Sequence, residues 1–511
     1  MQLLPALLAA ASAAAATAAQ APPKRYEPTW PSLMSRPLPA WYDDAKIGVF
    51  IHWGVYSVPS FGCAGCGPAE WYWHSLRGGA DPVVNGKRVP CCGLQTRPQV
   101  VAFHEKMYNN MSYTNFGPMF TAEFFEPDAW AALFKKAGIK YVVLTSKHHE
   151  GWTNWCSAEA FGWNACDSGP KRDLVGDLTA SVKAAGLHMG LYLSMYEWYH
   201  PLYTQDAANN FTTSRYVDEV YWPQAKEINT KYQPDLLWSD GDVGDSSWWR
   251  SAELLAWLYN EAPNRETIVV NDRWGTDNPP IGSGKHFGGY FSGADRQHAS
   301  AAMLQHKWES AFTIDSANWG FARNDPLADY LNITTILANV VSTVAYGGNV
   351  LVNIGPAHDG TIPAIFQDRL TQMGAWLEIN GEAIYGSKRW RVQNDTAIDP
   401  EVSATQGVYY TTTAHNNNNT LSSEGAVYAI ALHWPAGNRL LLQAPVTTPA
   451  TTVTMLGCAK PMAWEKTAVA AAAAAETTTS GGGIEITVPA LAPTELPSLH
   501  GPWVFKLTGV L

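Results

Sequence analysis

From about residue 40 to residue 388, short apolar runs alternate with segments of helical spacing, and that recurrence confines the chain to a β/α construction. Ile47–Trp53 reads as a strand. Asp128–Ala137 has helical spacing and passes through Gly138 into the strand Lys140–Thr145. Leu174–Ala185 leads through Gly186 to His188–Ser194, and Pro223–Lys231 leads through Pro234 to Leu236–Ser239. Glu253–Asn260 precedes Thr267–Asn271, with further strands expected at Ala311–Ile314 and Val350–Asn353 and a helix at Pro363–Ile379. Buried strands separated by helices are the mark of a parallel sheet, so a (β/α)8-like TIM barrel is the expected α/β fold, with an open doubly wound sheet as runner-up.

Past residue 388 the pattern changes. Thr- and Val-rich alternating runs at 407–413, 425–434, 438–445, 450–456, 484–489 and 502–508 predict a C-terminal antiparallel β-sandwich. The expected division is a leader at 1–20, a barrel at 21–387 and a sandwich at 388–511. The alanine, threonine and glycine stretch at 467–483 reads as a low-complexity insertion. Trp434, Trp464 and Trp503 form no evident binding row, so the sandwich reads as a structural domain bracing the barrel.

The leader reading rests on Leu3-Leu4 and Leu7-Leu8 running into alanines before Ala18-Ala19-Gln20, although a basic n-region is missing. No later apolar run is long enough to read as a membrane span. A secreted, soluble protein is therefore expected, and sequons at Asn110, Asn210, Asn332 and Asn418 fit that compartment. Among the seven cysteines, Cys63 and Cys66 could face Cys91 and Cys92 across one loop, as disulfides or as a zinc knot. Cys156 and Cys166 are spaced to staple a second loop, leaving Cys458 odd. Secretion favours disulfides.

A net charge of -11, from 45 acidic and 34 basic residues, comes with no basic stripe, so nucleic acid and anionic membrane are poor partners. Aromatics are abundant instead, and many stand beside His, Asp, Glu or Arg where strands end. In a barrel that rim is where an active site gathers.

Trp238-Ser239-Asp240-Gly241-Asp242 is the clearest instance, placing a carboxylate just after a strand where glycine lets the chain turn. His52 ends the first strand. Glu70-Trp71-Tyr72-Trp73-His74 suits a sugar, with aromatic faces for C–H surfaces and acids for hydroxyls. Lys147-His148-His149-Glu150 lacks the helical spacing of H-E-x-x-H, which disfavours a metal and favours neutral donors and acceptors. Arg273, after the fifth strand, is placed to brace carboxylates.

Taken together these stretches resemble the retaining α-L-fucosidases of glycoside hydrolase family 29. The resemblance runs through Ile47–Gly54, Glu70–Tyr72, Leu144–Gly151, Lys171–Asp173, Trp238–Gly241, Asn271–Gly275, Lys307–Glu309 and Asn353–Pro356, in family order. It implies that Asp240 is the nucleophile and that His52, Trp71, His148, His149, Tyr192, Trp238 and Arg273 form the fucose-binding wall, beside Glu70. Asp242 is read as support. For the acid/base two candidates stand: Asp295, at the end of a loop resembling the family's, and Glu309, in the Trp308-Glu309 pair.

Cleavage with retention needs two carboxyl groups about 5–5.5 Å apart and no cofactor. The expected substrates are fucosylated oligosaccharides or glycoconjugates, attacked at terminal fucose, with an apolar slot for the C5 methyl. Alternatives are a glycosidase for a related sugar and a non-catalytic carbohydrate-binding protein. Oligomeric state stays open, a homo-oligomer included.

Overall fold

The computed structural model describes residues 24–62, 66–78, 97–277, 288–395, 407–413, 425–467, 483–498 and 501–510, with the backbone of 83–84 and 87–88. The leader at 1–20, Cys63, Cys91, Cys92, Asn418 and nearly all of 467–483 lie outside the described residues.

Among the described residues seven parallel strands form the N-terminal part: β1 (Ile47–Ile51), β2 (Tyr141–Lys147), β3 (His188–Ser194), β4 (Leu236–Asp240), β5 (Val269–Val270), β6 (Glu309–Thr313) and β7 (Asn349–Ile354). Their order across the sheet is β5-β4-β3-β2-β1-β7-β6, each pair parallel. Every residue of β1, β2 and β7 is buried, as parallel strands covered on both faces require. One face holds Phe50, Val143, Tyr192, Trp238 and Leu351 in the barrel interior, and the other packs on the helices.

Among the described residues seven laddered strands leave a gap between β5 and β6, and the segment 288–296 lies in it. Gly289 and Tyr290 donate through N–H to Val270 O at 3.1 and 3.2 Å. Phe291 exchanges bonds with the approach to β6, its N–H reaching Lys307 O at 2.9 Å while Glu309 N–H reaches Phe291 O at 2.7 Å. The barrel is thus closed by an irregular eighth member, and the (β/α)8-like reading describes it.

The helices follow the sequence closely. α1 (Ala40–Ala45) precedes β1, and α2 (Pro127–Lys136) opens on a proline at its first turn and buries Trp130, Ala131 and Phe134. It ends before Gly138, which adopts φ +77° and lies where a side chain would meet Tyr385. α3 (Leu174–Ala184) is capped by Asp173, which accepts from Gly176 N–H at 2.9 Å. α4 (Trp222–Lys231), α5 (Ser251–Asn260), α6 (Ile333–Ala345) and α7 (Ala364–Asn380) complete the described layer used below.

Among the described residues eight antiparallel strands follow: β8 (Lys388–Asn394), β9 (Val408–Thr412), β10 (Ala426–Ala431), β11 (Arg439–Leu442), β12 (Thr447–Met455), β13 (Ala463–Lys466), β14 (Ile484–Thr487) and β15 (Trp503–Val510). They form sheets of order β8-β9-β10-β15-β12 and β11-β14-β13. Trp390, Tyr410, Leu440, Ile486 and Phe505 fill the core between them, and Trp434, Trp464 and Trp503 pack against it partly buried. The first sheet leans on the barrel through Tyr428, Ile430 and Val504, with Trp376 Nε1–H donating to Pro502 O at 2.7 Å.

Cys156 and Cys166 are joined by a disulfide, Cys66 is also disulfide-bonded and Cys458 is free and half-buried. Asn110, Asn210 and Asn332 are exposed, Asn332 capping α6 through its side-chain oxygen. Among the described residues no helix is long and apolar enough to cross a membrane.

Candidate active site

Side chains two apart on a strand share a face, and that alternation builds the site. Trp238 and Asp240 both turn inward from the end of β4, while Ser239 points the other way and bonds Asn271 Oδ1. Phe50 and His52 do the same from β1. Gly241 then turns the chain at φ +69°, against the Tyr196 ring at 2.5 Å from a built Cβ, so only glycine passes this bend without strain.

These residues line a cavity of about 430 Å³ at the carboxyl ends of the strands, with Glu70, Trp71, His148, His149, Tyr192, Arg273 and Asp295. The sequence also marked Asp242, which lines the cavity and accepts from Gly275 N–H at 3.0 Å. Sequence reasoning passed over Tyr196, Arg296 and Trp319 in the lining.

Asp240 is held by two donors. Tyr192 Oη–H reaches Oδ2 at 2.7 Å and Arg273 Nη1 reaches Oδ1 at 2.8 Å. Burial opposes the charge, but the Arg273 guanidinium and these bonds outweigh it and hold the carboxyl well below the usual range. Arg273 is itself fixed over the Trp238 ring at 4.6 Å, and its other terminal nitrogen reaches Asp295 Oδ1 at 2.7 Å. One planar fork therefore serves two carboxylates. Asp295 is the more open of the two, its side chain half exposed against 20% for Asp240.

The histidines are sorted by their outer bonds. Ser194 Oγ–H donates to Tyr196 O at 2.7 Å, so it accepts from His149 Nδ1–H, also at 2.7 Å. Asn353 donates through Nδ2 to Trp319 O, leaving its Oδ1 to accept from His52 Nδ1–H at 2.7 Å. Burial, then the neighbouring His148, pushes both imidazoles well below their ordinary range, so both are neutral. Each consequently turns an unprotonated Nε2 inward as an acceptor. His149 Nε2 lies 3.6 Å from Asp240 Oδ2, two acceptors with room for a shared hydroxyl proton.

His148 stacks on Tyr192 and stands 3.4 Å from Glu150. Lys147 faces away from the cavity, where Glu197, Tyr216 and Gln224 accept its protons. Among the described residues no group of three or more His, Cys, Asp or Glu is gathered as for a metal ion. Glu70 accepts from the N–H groups of Trp319 and Gly320 through Oε2, while Oε1 is buried with no partner; burial raises its pKa. Trp71 stands edge-on to His149 and Trp198.

Glu309 stands apart. It begins β6, at the opposite end of the strands from the cavity, fully buried and absent from the cavity lining. Tyr42 and Tyr141 donate to Oε2 at 2.9 and 2.6 Å, and the Trp238 indole donates to Oε1 at 3.0 Å. Burial raises its pKa against those bonds. Nothing places it beside Asp240.

Comparison with known proteins agrees with this geometry. A family model described as Alpha-L-fucosidase matches residues 12–382, and one described as Alpha-L-fucosidase C-terminal domain matches residues 393–508. An Alpha-L-fucosidase of Branchiostoma floridae is 43% identical over 490 residues, 95% of this chain and 96% of that protein. The tissue alpha-L-fucosidase of Bos taurus is 44% identical over 490 residues, 96% of this chain and 92% of that protein. The crystal structure of Thermotoga maritima alpha-fucosidase superposes with a TM-score of 0.71 at 30% identity, covering 94% of this chain and all of that one.

Proposed function

The chain belongs to the α-L-fucosidase family of glycoside hydrolases, and from that premise we propose that it is a secreted, retaining exo-α-L-fucosidase acting on terminal α-L-fucose of glycans or glycoconjugates. The observation that carries the reading is the Arg273 fork, with Asp240 on one terminal nitrogen and Asp295 on the other. Two carboxylates on one guanidinium suit the short separation of retaining enzymes, about 5–5.5 Å, better than the roughly 6.5–9.5 Å of inverting ones.

In the first step Asp240, held ionised, attacks the anomeric carbon and forms an ester. The glycosidic bond breaks, and the leaving oxygen takes its electron pair and the proton of Asp295. In the second step ionised Asp295 takes a proton from water, the water oxygen attacks the same carbon, and Asp240 is released. Once Asp240 is esterified its charge is gone, and Asp295 is the carboxylate left to Arg273 of the two.

Neutral His52 and His149 supply acceptors for ring hydroxyls, and Glu70 offers a further oxygen. Phe50, Trp238 and Trp319 give the apolar side against which a C5 methyl rests. Such a slot discriminates by only about 1–3 kcal/mol, so hydroxyl geometry carries most selectivity. The Thermotoga maritima enzyme forms a complex with fucose. Secretion is supported by the apolar leader and the Cys156–Cys166 disulfide.

The test is hydrolysis of 4-nitrophenyl α-L-fucoside, followed by NMR for the first-formed anomer, in wild type and Asp240→Ala. Turnover giving α-fucose first, lost in the variant and restored with azide as the β-fucosyl azide, supports the reading. β-Fucose as the first product, or unchanged activity in the variant, overturns it.

A further inference from the structure

Glu70 and Trp71 reach the cavity from a single helical turn, Ala69–Trp71, that lies outside the sheet. A turn this short keeps a binding side chain in place only through the contacts made around it. Those contacts come from the loop after β6.

Asp315 opens that loop, its Oδ1 accepting the N–H groups of Ala317 and Asn318 at 2.8 and 3.0 Å. The Asn318 side chain is fully buried, and its two ends have different partners. Nδ2 donates to Asp315 and Asp325, which ties Asn318 to its own loop. Oδ1 accepts from Ala69 N–H at 2.8 Å, which ties that loop to the turn carrying Glu70. The next two N–H groups, of Trp319 and Gly320, donate to Glu70 Oε2 at 3.1 and 3.0 Å. Asn353 on β7 anchors the same loop by donating to Trp319 O at 2.7 Å. An amide alone can do this, since one end must donate to carboxylates while the other accepts from an N–H. Gly62 makes room for it: a Cβ there would stand 2.2 Å from Asn318 Oδ1 and 2.5 Å from Ala69 N.

We propose that Asn318 is the positioning residue for Glu70, fixing both the turn that bears the carboxylate and the loop that grips it. The inference rests on the fucosidase reading and on Glu70 as a group that binds a ring hydroxyl. Oε2 is taken up by the loop, and Oε1, without a protein partner among the described residues, is left for the sugar. Asn318 is absent from the cavity lining and acts through Glu70.

The experiment measures kcat and KM for 4-nitrophenyl α-L-fucoside in wild type, Asn318→Ala, Glu70→Ala and the double variant. Gly62→Ala, alone and with Glu70→Ala, parts the same bond from the other side. A hydroxyl contact exists before and during bond cleavage, so Asn318→Ala and Gly62→Ala each raise KM roughly ten-fold while kcat stays within about three-fold. In the Glu70→Ala background either substitution changes KM by less than about two-fold, because the group it positions is gone. Thermal unfolding shows which variants are folded, and Gly62→Ala carries the test where Asn318→Ala is not. A rise in KM that persists undiminished without Glu70 overturns the proposal, since a general disturbance of the fold would act in both backgrounds. An unaltered KM in a folded Asn318→Ala or Gly62→Ala protein overturns it as well. Absence of aryl-fucoside turnover in wild type is a different failure, that of the fucosidase reading itself.

Discussion

The indole N–H of Trp238 donates to Glu309 Oε1 across 3.0 Å, tying the wall of the sugar cavity to a carboxyl buried at the far end of the barrel. Trp238 in turn stacks on Tyr192 and lies beneath Arg273, the two donors of Asp240. Glu309 is thereby linked to Asp240 through Trp238, by the ring stack on Tyr192 and the Arg273 guanidinium above it. Glu309→Gln keeps the volume and loses acceptor strength, so kcat/KM falls by roughly ten-fold, about 1.4 kcal/mol. The fall is the same for every aryl fucoside. A Brønsted plot against leaving-group pKa, steepened in the variant, would instead make Glu309 the acid.

Asp295→Ala has the opposite signature. General-acid assistance is worth about 10²–10⁴-fold and matters most where the leaving oxygen is basic. Activated aryl fucosides keep most of their first-step rate in the variant, while disaccharides lose several orders of magnitude. Stopped-flow release of the aryl group set beside disaccharide hydrolysis measures the split, and equal losses on both would remove Asp295 from the acid role.

Tyr192→Phe deletes one hydrogen bond to Asp240 and leaves the ring stack. The bond favours the ionised carboxylate, so its loss lets the Asp240 pKa rise toward the ordinary range. The acid limb of the kcat/KM profile therefore moves to higher pH, with a fall of about 10-fold at the optimum. A profile from pH 3 to 8 reads the direction, and a limb moving down would contradict the assignment.

Ser194→Ala removes the acceptor that fixes the His149 tautomer. The ring proton is then free to sit on Nε2, turning an acceptor in the cavity into a donor. KM for fucoside rises by about ten-fold while kcat changes less, since the hydroxyl contact exists before and during bond cleavage. An unaltered KM would show that Nε2 does not read the sugar.

His52 and His149 also govern stability. Burial, then His148, lowers both pKa values, so the unfolded chain takes up protons that the folded one refuses. Stability therefore declines as pH falls through about 6.5, the unfolded histidine value. Urea melts between pH 8 and 5 follow this slope, and His149→Asn makes it shallower. A slope indifferent to that substitution would mean the ring is charged in the fold.

Much of this was visible in the residues. Each strand expected between Ile47 and Asn353 lies on or beside an observed one, because strands buried on both faces are written as unbroken apolar runs. Asp240 was legible as a carboxylate ending such a run before a glycine. Phe50 could have been read too, two positions before His52 and so on its face. The closure of the barrel was not legible: residues 288–296 make few ladder bonds and carry no period to detect. Trp319 and Arg296 sit on loops whose approach to the cavity depends on contacts distant in sequence. Glu309, in an apolar setting beside Trp308, gave no sign that it pointed down the barrel and not up.

Among the described residues, the gap in the ladder between β5 and β6 sets Asp240 and Asp295 on two kinds of backbone. Phe50, Tyr192, Trp238 and Asp240 stand on hydrogen-bonded strands, where an insertion would shift register and move all four. Asp295 stands on a segment that closes the wall with a handful of bonds. Such a segment can lengthen or bend without shifting the register of the strand that carries Asp240.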